Sequence, residues 1–126
     1  MAGVFVKALG FYASISSLTR PFEQVKEEIE VGVVSLDNFV YRMGYPQPDF
    51  VKIEGFEGEV LNGASRVLAQ VRPIILCEIH NRQVAEKVLK KLREAGYLIF
   101  GIERDFELVD NPKSGGHWLA RSRVRE

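Results

Sequence analysis

Between residues 50 and 102, short apolar segments alternate with amphipathic helical patterns, and this alternation narrows the possible folds more than any other feature. The apolar runs at 50–53, 74–79 and 97–102 have the lengths of strands. The run at 74–79 is nearly continuous, which is typical of a parallel strand covered on both faces. An order of strand, helix, strand, helix, strand implies right-handed crossovers, so the sequence predicts an α/β fold built on a parallel sheet.

Two helices are predicted between these strands. The first follows Gly55 and Gly58, where the chain can turn sharply, and ends before Pro73. The second has Asn81 as its N-cap and Gly96 as its terminator. The first helix buries one face made of Val60, Leu61, Ala64, Val67 and Leu68, and the second buries Val84, Ala85, Val88, Leu89, Leu92 and Ala95.

The two ends of the chain differ from this central region. Residues 4–8 and 29–34 are predicted strands, and Ser35 is the predicted cap of a short helix, with Asp37 beside it also favouring a helix start. Residues 106–109 and 117–122 flank a turn sequence, which predicts a C-terminal antiparallel hairpin strand. We therefore interpret 1–126 as one domain, with N-terminal strands and loop at 1–34, an α/β core at 35–102, and a C-terminal hairpin and tail at 103–126.

Composition excludes several classes of protein. The 126 residues carry 17 Lys plus Arg and 17 Asp plus Glu, and this zero net charge argues against a nucleic-acid partner. The single cysteine, Cys77, cannot form an internal disulfide and is predicted to be a small core residue. No apolar run approaches the roughly 18 residues that cross a bilayer, and the N-terminal segment lacks the charge order of a signal peptide. We expect a cytoplasmic protein without a membrane partner.

Four titratable side chains follow two neighbouring predicted strands. Glu54 and Glu57 come after the first, while Glu78 and His80 lie at the end of the next. Ligands of open parallel sheets bind beyond the carboxyl ends of strands, so one polar cluster is expected there. Glu78 and His80 are two residues apart and should point to the same side, opposite to Ile79. Such a set can position a hydroxyl group, accept its proton, or help to hold a metal.

A purely structural role is the alternative for each of these residues. Glu57 stands at a helix start, where the dipole alone favours a carboxylate, and for this residue both roles stay open. For Glu78 and His80 we favour a site, because two polar groups interrupt an otherwise apolar strand. His117 and Trp118 are predicted to pack or to hydrogen-bond.

Three segments of the chain together resemble the FkbM-type family of S-adenosylmethionine-dependent methyltransferases. They read PDFVKIEGFEGEVLNGASRVL, VRPIILCEIHN and LREAGYLIFGI. The earlier VVSLDNFV is similar to another family segment, through Leu36 and Asp37. The family motifs E-G-x-E, V-L-x-G-A, R-P and E-x-H are matched by Glu54, Gly55 and Glu57, by Val60, Leu61, Gly63 and Ala64, by Arg72 and Pro73, and by Glu78 and His80.

The resemblance implies the C-terminal half of a seven-stranded Rossmann-like methyltransferase. Its reaction would be O-methylation of a small-molecule hydroxyl acceptor, such as a sugar or polyketide hydroxyl. Glu54, Glu57, Glu78 and His80 would orient and deprotonate that hydroxyl. S-adenosylmethionine would be held by an N-terminal half, and no G-x-G-x-x-G loop follows an early strand here. We therefore expect this chain alone to bind the cofactor poorly and to be inactive by itself.

The alternative hypothesis is a non-catalytic α/β module for oligomerisation or interaction. A strand that is central in a complete sheet becomes an exposed edge when its neighbours are lost, and its unpaired backbone groups invite a partner. Three covers are open at this point: residues 1–34 fold over the edge, a second copy pairs with it as a homodimer, or an absent part of a longer protein covers it.

Overall fold

The computed structural model describes residues 33–113 and 115–124, which contain a five-stranded sheet and three α-helices. The strands lie in the order β1-β2-β5-β3-β4. The predicted α/β class, with its partial Rossmann-like sheet, is confirmed. The strands are β1 (Phe50–Ile53), β2 (Ile74–Ile79), β3 (Tyr97–Gly101), β4 (Glu107–Leu108) and β5 (Gly116–Ser122), and the helices are α1 (Glu57–Asn62), α2 (Ser65–Gln70) and α3 (Arg82–Glu94).

The central part of the sheet differs from the prediction in one respect. β1 and β2 are parallel neighbours, with Ile53 beside Cys77. β3 does not pair with β2, because β5 lies between them and is antiparallel to both. Since both neighbours oppose β5, β2 and β3 still run in the same direction and α3 still connects them as a crossover. The inserted strand comes from the C-terminus, so no local pattern in residues 50–102 revealed it.

The last strand is antiparallel, as predicted, but its partners are different. Residues 106–109 were expected to form a hairpin with 117–122. Instead β4 pairs with β3, with Leu108 opposite Phe100, after a short 3-10 turn at Ile102–Arg104. The hairpin therefore lies one element earlier, and β5 crosses to the middle of the sheet.

The helices follow the predicted positions with two changes. The helix expected after the glycines is broken into α1 and α2 at Gly63 and Ala64. The segment after Ser35 is a π-helical turn at Asn38–Arg42, closed by the bond from the Met43 N–H to the Asn38 carbonyl at 2.8 Å. The capping predictions for Ser35 and Asn81 are confirmed, because their side chains accept the N–H groups of the residues three positions later.

One hydrophobic core lies between the helices and one face of the sheet. Alternate residues of β2 and β3 are buried, as the two-residue period of a strand requires. Cys77 is 1% exposed, so its predicted place in the core is confirmed. The core contains Ile53, Val60, Leu61, Ala64, Leu68, Ile75, Cys77, Ile79, Ala85, Val88, Leu89, Leu92, Tyr97, Ile99, Val109, Trp118 and Ala120.

The opposite face of the sheet, which we call the open face, carries the remaining side chains of the strands. Leu76, Leu98, Phe100 and Leu119 are half-buried there. Phe50 and Ile74 pair side by side and are 52% and 42% exposed. In the described part of the chain, β1 and β4 are the end strands of the sheet.

Two further predictions concern the ends of the described residues. The predicted strand at 4–8 lies outside them. Of the predicted strand at 29–34, only Val33 and Val34 are described, and neither is in a strand. Among the described residues, no helix is both long and apolar enough to span a membrane.

Candidate functional site

Glu78 and His80 come together at the carboxyl end of β2, as the sequence predicts. Glu78 is the fifth residue of β2, and His80 follows the last, Ile79. The buried side chain of Ile79 turns into the core, while the other two share the opposite side. Glu78 Oε1 lies 3.4 Å from His80 Nε2, and 33% and 68% of the two side chains are exposed. The pair is therefore a carboxylate and an imidazole that solvent and ligands can reach.

His117 extends this pair across the sheet. It lies opposite Glu78 in the antiparallel register of β2 and β5, and its Nε2 is 3.6 Å from Glu78 Oε2. Its Nδ1 contacts the Glu103 carboxylate, and its backbone N–H donates to Glu103 Oε1 at 2.8 Å. The order of contacts is His80, Glu78, His117, Glu103, which we call the four-residue cluster. The predicted hydrogen-bonding role of His117 and the packing role of the fully buried Trp118 are both confirmed.

Glu103 and His117, the last two members of the cluster, shift each other's pKa. Hydrogen bonds from the His117 ring and backbone lower the pKa of Glu103 to about 2. The same ring hydrogen bond raises the pKa of His117, and Glu78 adds to this effect. Lys52 opposes it by repelling the imidazolium charge. Together the two carboxylates hold a positive charge on His117 to higher pH than an isolated imidazole would keep it.

Glu57 is the buried member of the predicted set. It is the first residue of α1 and only 3% exposed, and its Oε2 has no hydrogen-bond partner in the described part of the protein. Burial raises the pKa of its carboxyl, while backbone N–H groups, including that of Gly55, partly counteract this. His80 also lowers this pKa and Glu78 raises it, so Glu57 lies within electrostatic range of both. Glu57 therefore lies near enough to influence both residues, but no hydrogen bond or ion pair joins it to Glu78 or His80 among the described residues.

Glu54 has a different environment from the other three predicted residues. Its Oε1 lies 3.0 Å from Lys52 Nζ, and 44% of its side chain is exposed. Lys52 is also close enough to influence His117. The ion pair therefore borders the four-residue cluster, whereas no direct contact links Glu54 to that cluster among the described side chains.

Cys77 faces the core rather than this edge. Burial, together with the nearby Glu57 charge, raises the pKa of its thiol to about 12. The thiol is therefore protonated at neutral pH and unsuited to act as a nucleophile. Within residues 33–113 and 115–124, no three side chains of the metal-binding types are arranged to hold a metal ion.

A cleft of about 320 Å³ opens beside His80, and we call it the β2–α3 cleft. One wall is the end of β2 with the first residues of α3, and the other is the loop before β5. The lining residues are Ile79, His80, Asn81, Arg82, Pro112, Lys113 and Gly115. Gly115 approaches the Ile79 carbonyl so closely that an added Cβ would lie 3.3 Å from that oxygen. The imidazole therefore faces a space that can admit a small molecule.

Sequence reasoning missed Glu103 and did not place His117 in the site. Glu103 belongs to a short turn after β3 that carries no recognisable motif. His117 reaches Glu78 only because β5 is inserted next to β2. The one available signal was His117, a polar residue at the start of the predicted C-terminal strand. Its partner on the neighbouring strand, Glu78, cannot be derived from the spacing of residues in the sequence.

Comparison with known proteins identifies one family. The model of the methyltransferase FkbM domain matches residues 6–99. This range contains Glu54, Glu57, Glu78 and His80, whereas Glu103 and His117 lie beyond it. No curated protein and no solved structure matches the chain.

Proposed function

Because the chain belongs to the FkbM methyltransferase domain family, whose model matches roughly three quarters of it, we propose that its described part forms the acceptor side of an O-methyltransferase. In this proposal it binds a small hydroxyl compound and removes the hydroxyl proton. The observation that carries the proposal is the Glu78–His80 pair, whose contact atoms lie 3.4 Å apart and whose imidazole lines the β2–α3 cleft.

His80 is the proposed proton acceptor. A neutral imidazole takes up a proton near physiological pH, and a neighbouring carboxylate stabilises the resulting imidazolium. Because His80 Nε2 faces Glu78, that nitrogen carries the hydrogen in the neutral ring and Nδ1 holds the lone pair. The hydroxyl proton then passes to Nδ1, and the acceptor oxygen becomes nucleophilic.

The other two predicted residues orient the acceptor in this proposal. Glu57 Oε2 is buried and without a partner among the described residues, so it can accept a hydrogen bond from a second hydroxyl group. Glu54 lies in an exposed ion pair with Lys52 and contacts the outer part of a larger acceptor.

Family membership implies S-adenosylmethionine as methyl donor, but the described residues do not fit it. The β2–α3 cleft is lined by His80, Arg82 and Lys113, and a sulfonium cation is repelled by such a lining. Among the described residues that line it, none has a carboxylate to accept ribose hydroxyl groups. We therefore propose that the described residues do not form the cofactor site and, because no G-x-G-x-x-G loop follows an early strand, that the 126-residue chain does not bind the cofactor by itself.

Two measurements on the 126-residue chain test this function. Calorimetry with S-adenosylmethionine is expected to show no binding heat and no thermal stabilisation. Nuclear magnetic resonance titration with a panel of polyols and sugars is expected to shift the His80 ring signals, and this shift should be lost in E78Q. If no compound of the panel shifts the His80 ring signals, the proposed binding of a hydroxyl acceptor is contradicted. Transfer of labelled methyl groups by the chain alone would contradict its proposed dependence on an external cofactor site.

A second candidate function is a non-catalytic interaction module, and the open face favours it. Phe50, Ile74 and Leu108 are each more than 40% exposed, and Phe50 and Ile74 lie side by side on the paired strands β1 and β2. Homodimerisation that covers this face and the β1 edge would remove them from water. Sedimentation analysis distinguishes this function from the first. A dimer whose association is weakened by both F50S and I74S supports the interaction module. A protein that stays monomeric at every concentration argues against it.

A further inference from the structure

The β2–α3 cleft has a cationic lining that the proposed reaction does not need. A proton acceptor and a hydroxyl-binding carboxylate are sufficient to activate a neutral alcohol. Arg82 and Lys113, however, reach the cleft from two separate segments, and none of the described lining residues is acidic. From this combination we infer that the hydroxyl acceptor carries an anionic group, a phosphate or carboxylate, that binds between Arg82 and Lys113. This inference rests on the proposed function.

Arg82 keeps donors available for an anion. Its Nε is 3.2 Å from Glu86 Oε1, one turn further along α3. A guanidinium group has five N–H donors, and among the described residues this is the contact recorded for Arg82, so its two terminal nitrogens can bind an oxyanion in a bidentate manner. Asn81 Oδ1 accepts the Val84 N–H at 2.9 Å, so one N–H group at the start of α3 already has an acceptor, while the Arg82 side chain adds a full positive charge to the cleft.

Lys113 approaches from the opposite wall. Its ammonium group has no ion-pair partner in the described part of the chain. The turn that holds it is ordered by Asn111, whose Oδ1 accepts the Lys113 N–H at 3.0 Å while its Nδ2 donates to Asp110 at 3.0 Å. An unpaired cation on a braced turn is suited to bind an incoming negative charge.

The position and size of the cleft select the kind of acceptor. His80 lines the same cleft, so an anion bound by Arg82 and Lys113 brings a nearby hydroxyl group to the proposed proton acceptor. The volume of about 320 Å³ lies at the lower end of the roughly 300–1,000 Å³ typical of small-molecule sites. A short hydroxylated phosphate or hydroxy acid fits these constraints better than a large neutral sugar.

Three related probes test this inference on the full 126-residue chain. Glycerol, glycerate and glycerol 3-phosphate share a hydroxylated three-carbon frame and differ in the anionic group. We expect both anions to give saturable amide shifts at residues 80–82 and at Lys113, and to move the His80 ring signals, while glycerol gives neither. The anion that binds with the higher affinity shows whether the site prefers a carboxylate or a phosphate.

Charge-matched variants separate a specific site from general attraction. Lys113→Gln should weaken anion binding about tenfold, since it removes a charge-assisted hydrogen bond. Lys90→Gln removes the same charge from an exposed position of α3 outside the cleft, and should change binding less than about twofold. Equal weakening by both variants would overturn the inference. Amide spectra of both variants report whether the fold is retained.

The outcomes also distinguish this inference from the proposed function. If glycerol moves the His80 signals as strongly as the anions do, the proposed binding of a hydroxyl acceptor is supported, but the inference that this acceptor carries an anionic group is wrong. If the anions shift the amide signals of residues 80–82 and Lys113 but leave the His80 ring unmoved, the bound anion is not the acceptor and the inference fails. If no probe and no member of the hydroxyl panel moves His80, the proposed function fails with it.

Discussion

The carboxylate of Asp37 accepts a hydrogen bond from the backbone N–H of Val67, 30 residues further along the chain, at 2.8 Å. Its second oxygen accepts the Arg66 N–H at 2.9 Å. Asp37 therefore caps α2, although its place in the sequence suggested that it served the helix turn beginning beside it. This long-range cap explains why a new helix starts at Ser65 instead of α1 continuing.

Removal of this cap should destabilise the protein. We expect D37A to lower the free energy of unfolding by about 1 kcal/mol, because two N–H groups of α2 lose their acceptor. D37N keeps one acceptor oxygen and should lose less. Denaturant unfolding measures both values. D49A, at an exposed aspartate just before β1, is the matched control, and an effect of equal size there would contradict the capping role.

The Glu103–His117 pair should make stability depend on pH in a defined window. The raised pKa of His117 adds stability that is complete below its ordinary value of 6.5 and is lost as pH rises through the folded pKa. The pKa of Glu103, about 2, adds stability above its ordinary value of 4.5 that is lost as pH falls towards 2. The pair should therefore stabilise most between pH 4.5 and 6.5.

Substitution at Glu103 tests this coupling directly. The chain contains two histidines, so ring proton signals separate cleanly in a titration. E103Q should lower the pKa of His117 and flatten the pH dependence of stability in that window. E107Q, at an exposed carboxylate of β4, serves as the control. An unchanged His117 titration in E103Q would refute the assignment.

Gly116 is required for the contact between Glu103 and β5. Its φ is +94°, and an added Cβ would lie 2.6 Å from Glu103 Oε1. G116A should therefore incur backbone strain and also displace Glu103 from His117. Gly44 has φ of +77°, and no atom of the described residues lies within 4 Å of an added Cβ. G44A should therefore lose only the stability that a left-handed backbone conformation costs, about 1–2 kcal/mol.

Thermal unfolding together with the His117 titration checks this comparison. G116A should cost more stability than G44A and should also lower the pKa of His117, whereas G44A should leave that pKa unchanged. Equal losses of stability, with His117 unaffected in both variants, would show that Gly116 has only a conformational role.

Neutralisation of Glu57 should stabilise the protein at high pH. Burial raises its pKa, so the ionised carboxylate is disfavoured in the folded state. Because a raised pKa gives stability that is lost as pH rises through it, E57Q should become more stable than the natural protein above that point. The difference should shrink towards pH 4. Unfolding curves across this range measure it, and a difference independent of pH would exclude a buried ionisable group.

E57Q also separates stability from function. If Glu57 orients the acceptor, E57Q should have a lower affinity than the natural protein for the hydroxyl compounds that shift the His80 signals. This should hold even at high pH, where E57Q is expected to be the more stable protein. E59Q removes a carboxylate from an exposed position of the same helix and should leave binding intact. Equal acceptor binding by E57Q and the natural protein would assign Glu57 to the structural role alone.

Local patterns predicted much of the fold and half of the four-residue cluster. The alternation of strands and helices, the Asn81 cap and the shared side of Glu78 and His80 all depend on residues close in sequence. The long-range cap by Asp37 and the insertion of β5 depend on contacts between distant segments. Periodicity contains no information about such contacts, so it suggested a β2–β3 pairing that the structure does not have.

The amino-acid sequence alone determined the α/β class and brought Glu78 and His80 to one strand end, because the two-residue period of a strand dictates which side chains share a face. Tertiary structure alone decided that His117 and Glu103 complete the cluster and that Lys113 faces Arg82 across a cleft. These pairs come from segments separated along the chain, and only the pairing of β5 with β2 and β3 brings the segments together.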